Sequence, residues 1–90
     1  MGAVLLVLQD CGACARAEAT WRRVFEKHGT GLEVLGVDAE PGAQLARRLR
    51  VTTFPALVID DDVVAVGVPS PEAAWEVLRR HDSADYPSPV

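Results

Sequence analysis

Hydrophobic residues cluster in four short runs along this 90-residue chain. The runs are rich in Val and Leu, do not alternate with polar residues, and are bounded by Asp, Gly or Pro, a pattern typical of buried strands. The predicted strands are Ala3–Gln9, Leu32–Val37, Ala56–Ile59 and Val63–Val66. Because only an acidic turn separates the last two, these strands must form an antiparallel hairpin.

Between the strands, apolar residues recur every three or four positions, which predicts amphipathic helices. The predicted helices are Gly12–His28, Ala43–Arg50 and a last one from Pro71 to about Arg80. Trp21 and Trp75 fall on apolar helix faces, so we expect both to pack in the core. The element order is therefore β-α-β-α-β-β-α, with the first two strands parallel.

The composition indicates one small globular domain. The chain is 49% hydrophobic and 24% charged, with a formal net charge of −4. The apolar content argues against a disordered chain, and the acidic balance argues against a nucleic-acid partner. We expect the domain to span residues 1–81. Residues 82–90 contain two prolines and little apolar material, which predicts a loose tail.

The apolar stretch at the N-terminus predicts a strand and not a targeting signal. No basic residue precedes it, and it is too short for a convincing signal peptide. No run approaches the roughly 20 apolar residues of a membrane helix. We therefore expect a cytoplasmic protein with no membrane partner.

Two cysteines, Cys11 and Cys14, lie where the first strand gives way to the first helix. A helix N-terminus carries about half a positive charge and unpaired N–H groups, which stabilise a thiolate. The intervening Gly12 and Ala13, which we expect to modulate the pair, allow one helical turn to bring the sulfurs together. We predict that Cys11 is the exposed nucleophile. Cys14, on the apolar stripe of the helix, is then the resolving thiol.

Other interpretations of the cysteine pair are open. Two cysteines can simply be small buried hydrophobic residues. A structural zinc site needs four ligands, and the only histidines, His28 and His81, lie at the far ends of predicted helices. A metal shared between two chains is a further alternative. The spacing at a strand–helix junction favours a redox pair, so we expect no metal and no bound cofactor.

A second segment that could take part in the function is Thr53–Pro55, which precedes and opens the third strand. The proline can begin a strand in trans, where no ladder donor is needed. Alternatively, the Phe54–Pro55 peptide is cis, which costs only about 0.5–1 kcal/mol for an X–Pro bond. A cis bond would turn the backbone of Phe54 outward beside the sulfurs, where it could pair with an extended substrate. We therefore expect Thr53, Phe54 and Pro55 to bind substrate.

Three sequence motifs occur at the boundaries of the predicted helices and strands. CGAC (residues 11–14) opens the first helix, VDAEPG (residues 37–42) ends the second strand, and LRVTTFPALVI (residues 49–59) carries a proline into the third. On these motifs the chain resembles the thioredoxin superfamily, as a short member of glutaredoxin size. The resemblance implies a thioredoxin-like α/β fold, a central four-stranded mixed sheet with helices on both faces. It also implies thiol–disulfide exchange, with Pro55 in cis.

Several positions depart from the thioredoxin pattern. Asp10 stands where thioredoxins usually place tryptophan, and Ala13 replaces their proline. Leu5 and Val34 occupy the positions of a buried aspartate and its lysine partner, so proton transfer would fall to water or to Asp10. A carboxylate beside Cys11 disfavours the thiolate while the helix end favours it. We therefore expect only a modest lowering of the Cys11 pKa and a reductant-like potential.

The sequence thus predicts a thiol–disulfide oxidoreductase. It would act on disulfide-containing proteins or small disulfides, and a reductase or a thiol pool would supply electrons. The competing hypothesis is a non-catalytic module, in which the same groove binds a partner and the cysteines only sense redox state.

Overall fold

Seven helices and strands occur in the predicted order in the computed structural model, which describes residues 2–85. The strands are β1 (Ala3–Val7), β2 (Glu33–Gly36), β3 (Ala56–Ile59) and β4 (Asp62–Val66). The helices are α1 (Gly12–His28), α2 (Gly42–Leu49) and α3 (Pro71–Asp85). Within residues 2–85, no helix is long and apolar enough to span a membrane.

The last helix is longer than the sequence predicts. α3 continues past Arg80 to Asp85, so the predicted end of the last helix is wrong by five residues, and the helix covers residues 82–85, the first four of the predicted tail. The physical reason is that the first proline after Arg80 is Pro87, so residues 82–85 contain no residue that breaks the helix. The rest of the predicted tail, residues 86–90, lies outside the described residues.

The four described strands form one mixed sheet in the order β2-β1-β3-β4. β1 pairs in parallel with β2 and antiparallel with β3, and β3 and β4 form the predicted hairpin. All four residues of β3 are buried, because helices cover both faces of the sheet. The thioredoxin-like fold expected from the sequence is therefore confirmed.

Alternate residues of β1 face two apolar clusters, one on each side of the sheet. Leu5 belongs to the cluster beneath α1 and α3, and Leu6 to the cluster beneath α2. In the first cluster the ring of Trp21 lies edge-on to that of Phe25, with centroids 6.0 Å apart. Trp21 is fully buried as predicted, whereas Trp75 is only half-buried against the same cluster.

A β-bulge shapes the edge strand β4. Leu57 pairs with Ala65 and Val58 with Val63, so one extra residue is inserted between the two pairs. The bulge leaves Val63 and Val66 on the same side of the sheet as their partners Val58 and Ala56, which belong to the α2 cluster. Both valines remain exposed.

Candidate active site

The strand–helix junction after β1 places the two cysteines. Asp10 has a left-handed backbone conformation with φ 56°, which turns the chain out of the strand. Cys11 then has the extended conformation of a helix N-cap, with φ −108° and ψ 107°. Its Sγ accepts a hydrogen bond from the backbone N–H of Cys14 at 3.0 Å. A sulfur therefore takes the capping position that Ser, Thr, Asp or Asn usually fills.

The two sulfurs are joined as a disulfide, and the Cα atoms of Cys11 and Cys14 are 5.1 Å apart. Cys14 is only 3% exposed, whereas Cys11 is partly accessible. The buried sulfur of Cys14 accepts a hydrogen bond from the backbone N–H of Leu8 at 3.4 Å. Each sulfur thus has a backbone N–H donor, and a hydrogen bond of this kind favours the charged form of a thiol.

The Phe54–Pro55 peptide is cis, so the trans alternative is wrong. The register places this bond beside the end of β1, the strand that leads to Cys11, because Leu6 pairs with Ala56, the first residue of β3. Pro55 is buried, and its carbonyl oxygen accepts the N–H of Gly67 at 2.8 Å. The end of β1, the start of β3 and the end of β4 therefore lie together at one end of the sheet.

Thr53 and Phe54 lie on different surfaces. Phe54 is half-buried and packs against the apolar cluster beneath α2. Thr53 is exposed and lines an open groove of about 290 Å³, which Val63 and Val66 of β4 also line. The predicted substrate segment therefore borders both the core and an apolar groove beside the edge strand.

The predicted modulating residues surround Cys11. Asp10 is exposed and precedes it directly, and Gly12 and Ala13 form the first turn of α1. None of the residues in this first turn is acidic. Asp10 is accordingly the carboxylate nearest to Cys11 along the chain.

Sequence reasoning missed two exposed apolar residues at the same edge. Leu8 is 43% exposed and follows β1 directly, although the prediction placed it inside the strand. Val68 is also 43% exposed and follows Gly67, the residue bonded to Pro55. The only sequence signal for Leu8 is that it lies two residues before Asp10, where the apolar run has already given way to polar residues.

The site has the chemistry of a reversible dithiol–disulfide pair. Among the side chains that the structure describes, in residues 2–81, no group of three His, Cys, Asp or Glu could hold a metal ion. Leu5 and Val34 are register partners in β1 and β2, and both pack in the first apolar cluster. The core at these positions is therefore apolar, so the groups that can react in this region are the two sulfurs.

Comparisons with known proteins identify relatives of the fold. A family model described as "Thioredoxin domain" matches residues 3–79. No curated protein matches the chain.

Several solved structures share the fold at low sequence identity. Thioredoxin 1 from the thermophilic eubacterium Thermosipho africanus TCF52B superposes with a TM-score of 0.73 at 15% identity, covering 93% of this chain and 97% of its own. The oxidised thioredoxin from Plasmodium falciparum gives a TM-score of 0.67 at 14% identity, covering 88% of this chain and 78% of its own. A structure described as a malarial protein gives 0.63 at 19% identity, with 88% and 93% covered.

Proposed function

This chain belongs to the thioredoxin domain family, and from that premise we propose that it is a thiol–disulfide oxidoreductase. The observation that supports the proposal most directly is the asymmetry of the cysteine pair. Cys11 caps α1 with partial access to solvent, while Cys14 lies buried within disulfide reach of it. An accessible thiol attacks and a protected thiol resolves, which is the arrangement that disulfide exchange needs.

In the proposed reaction the thiolate of Cys11 attacks one sulfur of a substrate disulfide. A mixed disulfide forms as the substrate S–S bond breaks, and the first product leaves as a thiolate. The thiolate of Cys14 then attacks the Cys11 sulfur, which releases the second product and closes the Cys11–Cys14 disulfide. The substrate gains two electrons, the protein loses two, and the protons given up by the two cysteines pass to the two products.

The backbone beside Pro55 is the proposed substrate platform. An extended segment of a protein substrate would pair with the N–H and C=O of Phe54 as a short strand. The exposed side chains of Leu8 and Val68 would contact apolar parts of the same partner. No cofactor takes part, since electrons arrive as thiols from a reductase or a thiol pool. A reductant of this kind suits the cytoplasm, where thiols are kept reduced.

The deciding experiment replaces each cysteine by serine and follows reduction of insulin disulfides. Cys11→Ser should lose turnover by about 10²-fold or more, because the nucleophile is gone. Cys14→Ser should accumulate a mixed disulfide between Cys11 and the substrate, which gel electrophoresis without reductant detects. Ala15→Ser, which adds a hydroxyl on the same turn of α1 without removing a sulfur, is the matched control and should keep full activity.

The same variants separate catalysis from the alternative of a redox-sensing binding module. A module would keep its partner after Cys11→Ser, and the wild-type protein would not accelerate reduction of any disulfide. Turnover that survives both cysteine substitutions would place the chemistry elsewhere and end the proposal.

A further inference from the structure

Arg16 lies one helical turn beyond Gly12, the residue after Cys11, and its side chain points back toward Gly12. Side chains on a helix point toward its N-terminus, so the residue four positions along covers the turn before it. A side-chain carbon added at Gly12 would lie 3.7 Å from Nη1 of Arg16. The guanidinium therefore lies beside Gly12, at ordinary van der Waals distance from the position of an added side-chain carbon and one residue from Cys11.

Within the part of the chain that the structure describes, no ion pair neutralises the positive charge of Arg16. Carboxylates three or four residues away could pair with it along the helix, but those positions hold Gly12, Ala13, Ala19 and Thr20. No carboxylate of the described residues forms an ion pair with Arg16.

By contrast, the next exposed arginine on the same helix is neutralised. Nε of Arg22 lies 2.8 Å from the carboxylate of Glu18, one turn before it. Of the three arginines of α1, only Arg22 has an ion pair among the described residues, and Arg16 is the one of the other two that lies beside the cysteines.

We propose that Arg16 makes this site selective for disulfides that carry a negative charge next to their sulfur atoms. The inference rests on the proposed function and names its substrate class. A carboxylate beside the scissile S–S bond would meet the guanidinium while Cys11 attacks, and a cationic group there would be repelled. Arg16 is a specificity-determining residue in this proposal and takes no part in bond making.

The test uses three small symmetric disulfides of similar size: dithiodipropionate is anionic, hydroxyethyl disulfide is neutral and cystamine is cationic. The rate of oxidation of the reduced protein is measured with each, at low and at high salt. We expect Arg16→Gln to lower the anionic-to-neutral rate ratio about threefold and to raise the cationic-to-neutral ratio by a similar factor. Salt at about 0.5 M should bring the wild-type ratios close to those of the variant.

The matched control is Arg23→Gln, because Arg23 is exposed on the same helix two turns farther from the cysteines. It should leave all three rates unchanged, and Arg16→Lys should keep most of the charge preference. Ratios between disulfides cancel any change in the reactivity of Cys11 itself. Equal effects of Arg16→Gln on all three rates, or none, would therefore overturn the charge-selection proposal alone. A wild-type protein that reacts with no disulfide faster than Cys11→Ser does would overturn the proposed function instead.

Discussion

At the scale of single residues, two opposing charges surround the Cys11 sulfur. The backbone N–H of Cys14, the N-terminus of α1 and the guanidinium of Arg16 beside Gly12 favour a thiolate there. The carboxylate of Asp10, the preceding residue, disfavours it. At an exposed site each effect is on the order of 0.3–1 kcal/mol, so neither dominates. The balance predicts a thiol whose pKa is lowered only modestly.

Asp10→Asn should shift this balance toward the thiolate. Asparagine tolerates the left-handed backbone of residue 10, so the substitution removes the charge and leaves the turn in place. We expect the Cys11 pKa to fall and its alkylation at pH 7 to accelerate about two- to fivefold. Iodoacetamide measures this cleanly, because a neutral reagent is not itself attracted by the altered charge.

Glu33→Gln is the control for Asp10→Asn. Glu33 is an exposed carboxylate at the start of β2, beside Val4 and at the opposite end of the sheet. Its removal changes the net charge by the same amount and should leave the alkylation rate unaltered. A rate that stays the same or falls in Asp10→Asn would contradict the assignment of Asp10 as the opposing charge.

Gly42 is required by a close approach of two backbone segments. A side-chain carbon at position 42 would collide with the carbonyl oxygen of Gly36, a backbone atom that cannot rotate away. Gly42→Ala should therefore lower the free energy of unfolding by about 1–3 kcal/mol, as overpacking does. Chemical denaturation measures the change.

Gly31→Ala provides the contrast, because a side-chain carbon at position 31 meets no atom within 4 Å. It should be neutral or slightly stabilising, since alanine restricts the unfolded chain. If the two variants had equal stability, the close approach at Gly42 would carry no energetic consequence.

At the scale of helices and strands, strong local signals made the prediction succeed. The apolar stripe of α1 and the glycine after it fixed Gly12–His28 at both ends, and Gly29 indeed closes the helix with φ 84°. The end of α3 was missed because residues 82–85 carry neither an apolar stripe nor a helix breaker. The bulge in β4 was also missed, since a two-residue period assigns Val63 and Val66 to opposite faces.

In the candidate site, too, the features that are local in sequence were predicted and those that depend on the folded backbone were not. The cysteine spacing and its place at a strand–helix junction were readable, because both are local in sequence. The hydrogen bond from Leu8 to Cys14 and the position of Arg16 over Gly12 were not predicted. The first depends on a left-handed turn at Asp10, and aspartate is only one of several residues that adopt that conformation.

The C-terminal end of α2 offers a test at this scale. Arg50 ends the helix in a left-handed conformation with φ 58°, and its N–H bonds to the carbonyls of Ala46 and Arg47. Glycine adopts that conformation without a steric cost, so Arg50→Gly should raise the free energy of unfolding by about 0.5–1 kcal/mol.

Arg50→Ala separates the backbone effect from loss of the arginine side chain. It removes the same charged group but keeps a Cβ atom, so it should leave stability close to that of the wild type. Urea denaturation of the three proteins in parallel gives the comparison. An alanine variant as stable as the glycine variant would show that the side chain, and not the helix end, causes the difference.

At the scale of the whole molecule, the interior holds little besides hydrocarbon and sulfur. Among the described residues, no charged or polar side chain is buried, and the two apolar clusters on either side of the sheet carry the packing. Cys14 is buried, whereas Cys11 is partly accessible, so one sulfur of the redox pair belongs to this interior. Oxidation and reduction of the pair should therefore change the stability of the whole domain.

The oxidised protein should be more stable than the reduced one. A disulfide that closes so short a loop still restricts the unfolded chain, by about 2 kcal/mol in the chain-entropy model. The thiolate stabilisation that favours the reduced form is smaller, because Asp10 opposes it. We expect a difference of about 1 kcal/mol between the two forms in urea denaturation, and a reduction potential below about −150 mV in a glutathione buffer.

These two measurements are linked, since 30 mV corresponds to about 1.4 kcal/mol for a two-electron couple. Asp10→Asn should stabilise the thiolate of the reduced protein. It should therefore reduce the difference in unfolding free energy between the oxidised and reduced proteins and raise the reduction potential by the matching amount. A reduced form more stable than the oxidised form, or a potential typical of strong oxidants, would show that the helix end outweighs Asp10. The cysteine pair would then be suited to forming disulfides in its partners, and the direction of exchange proposed for this domain would be reversed.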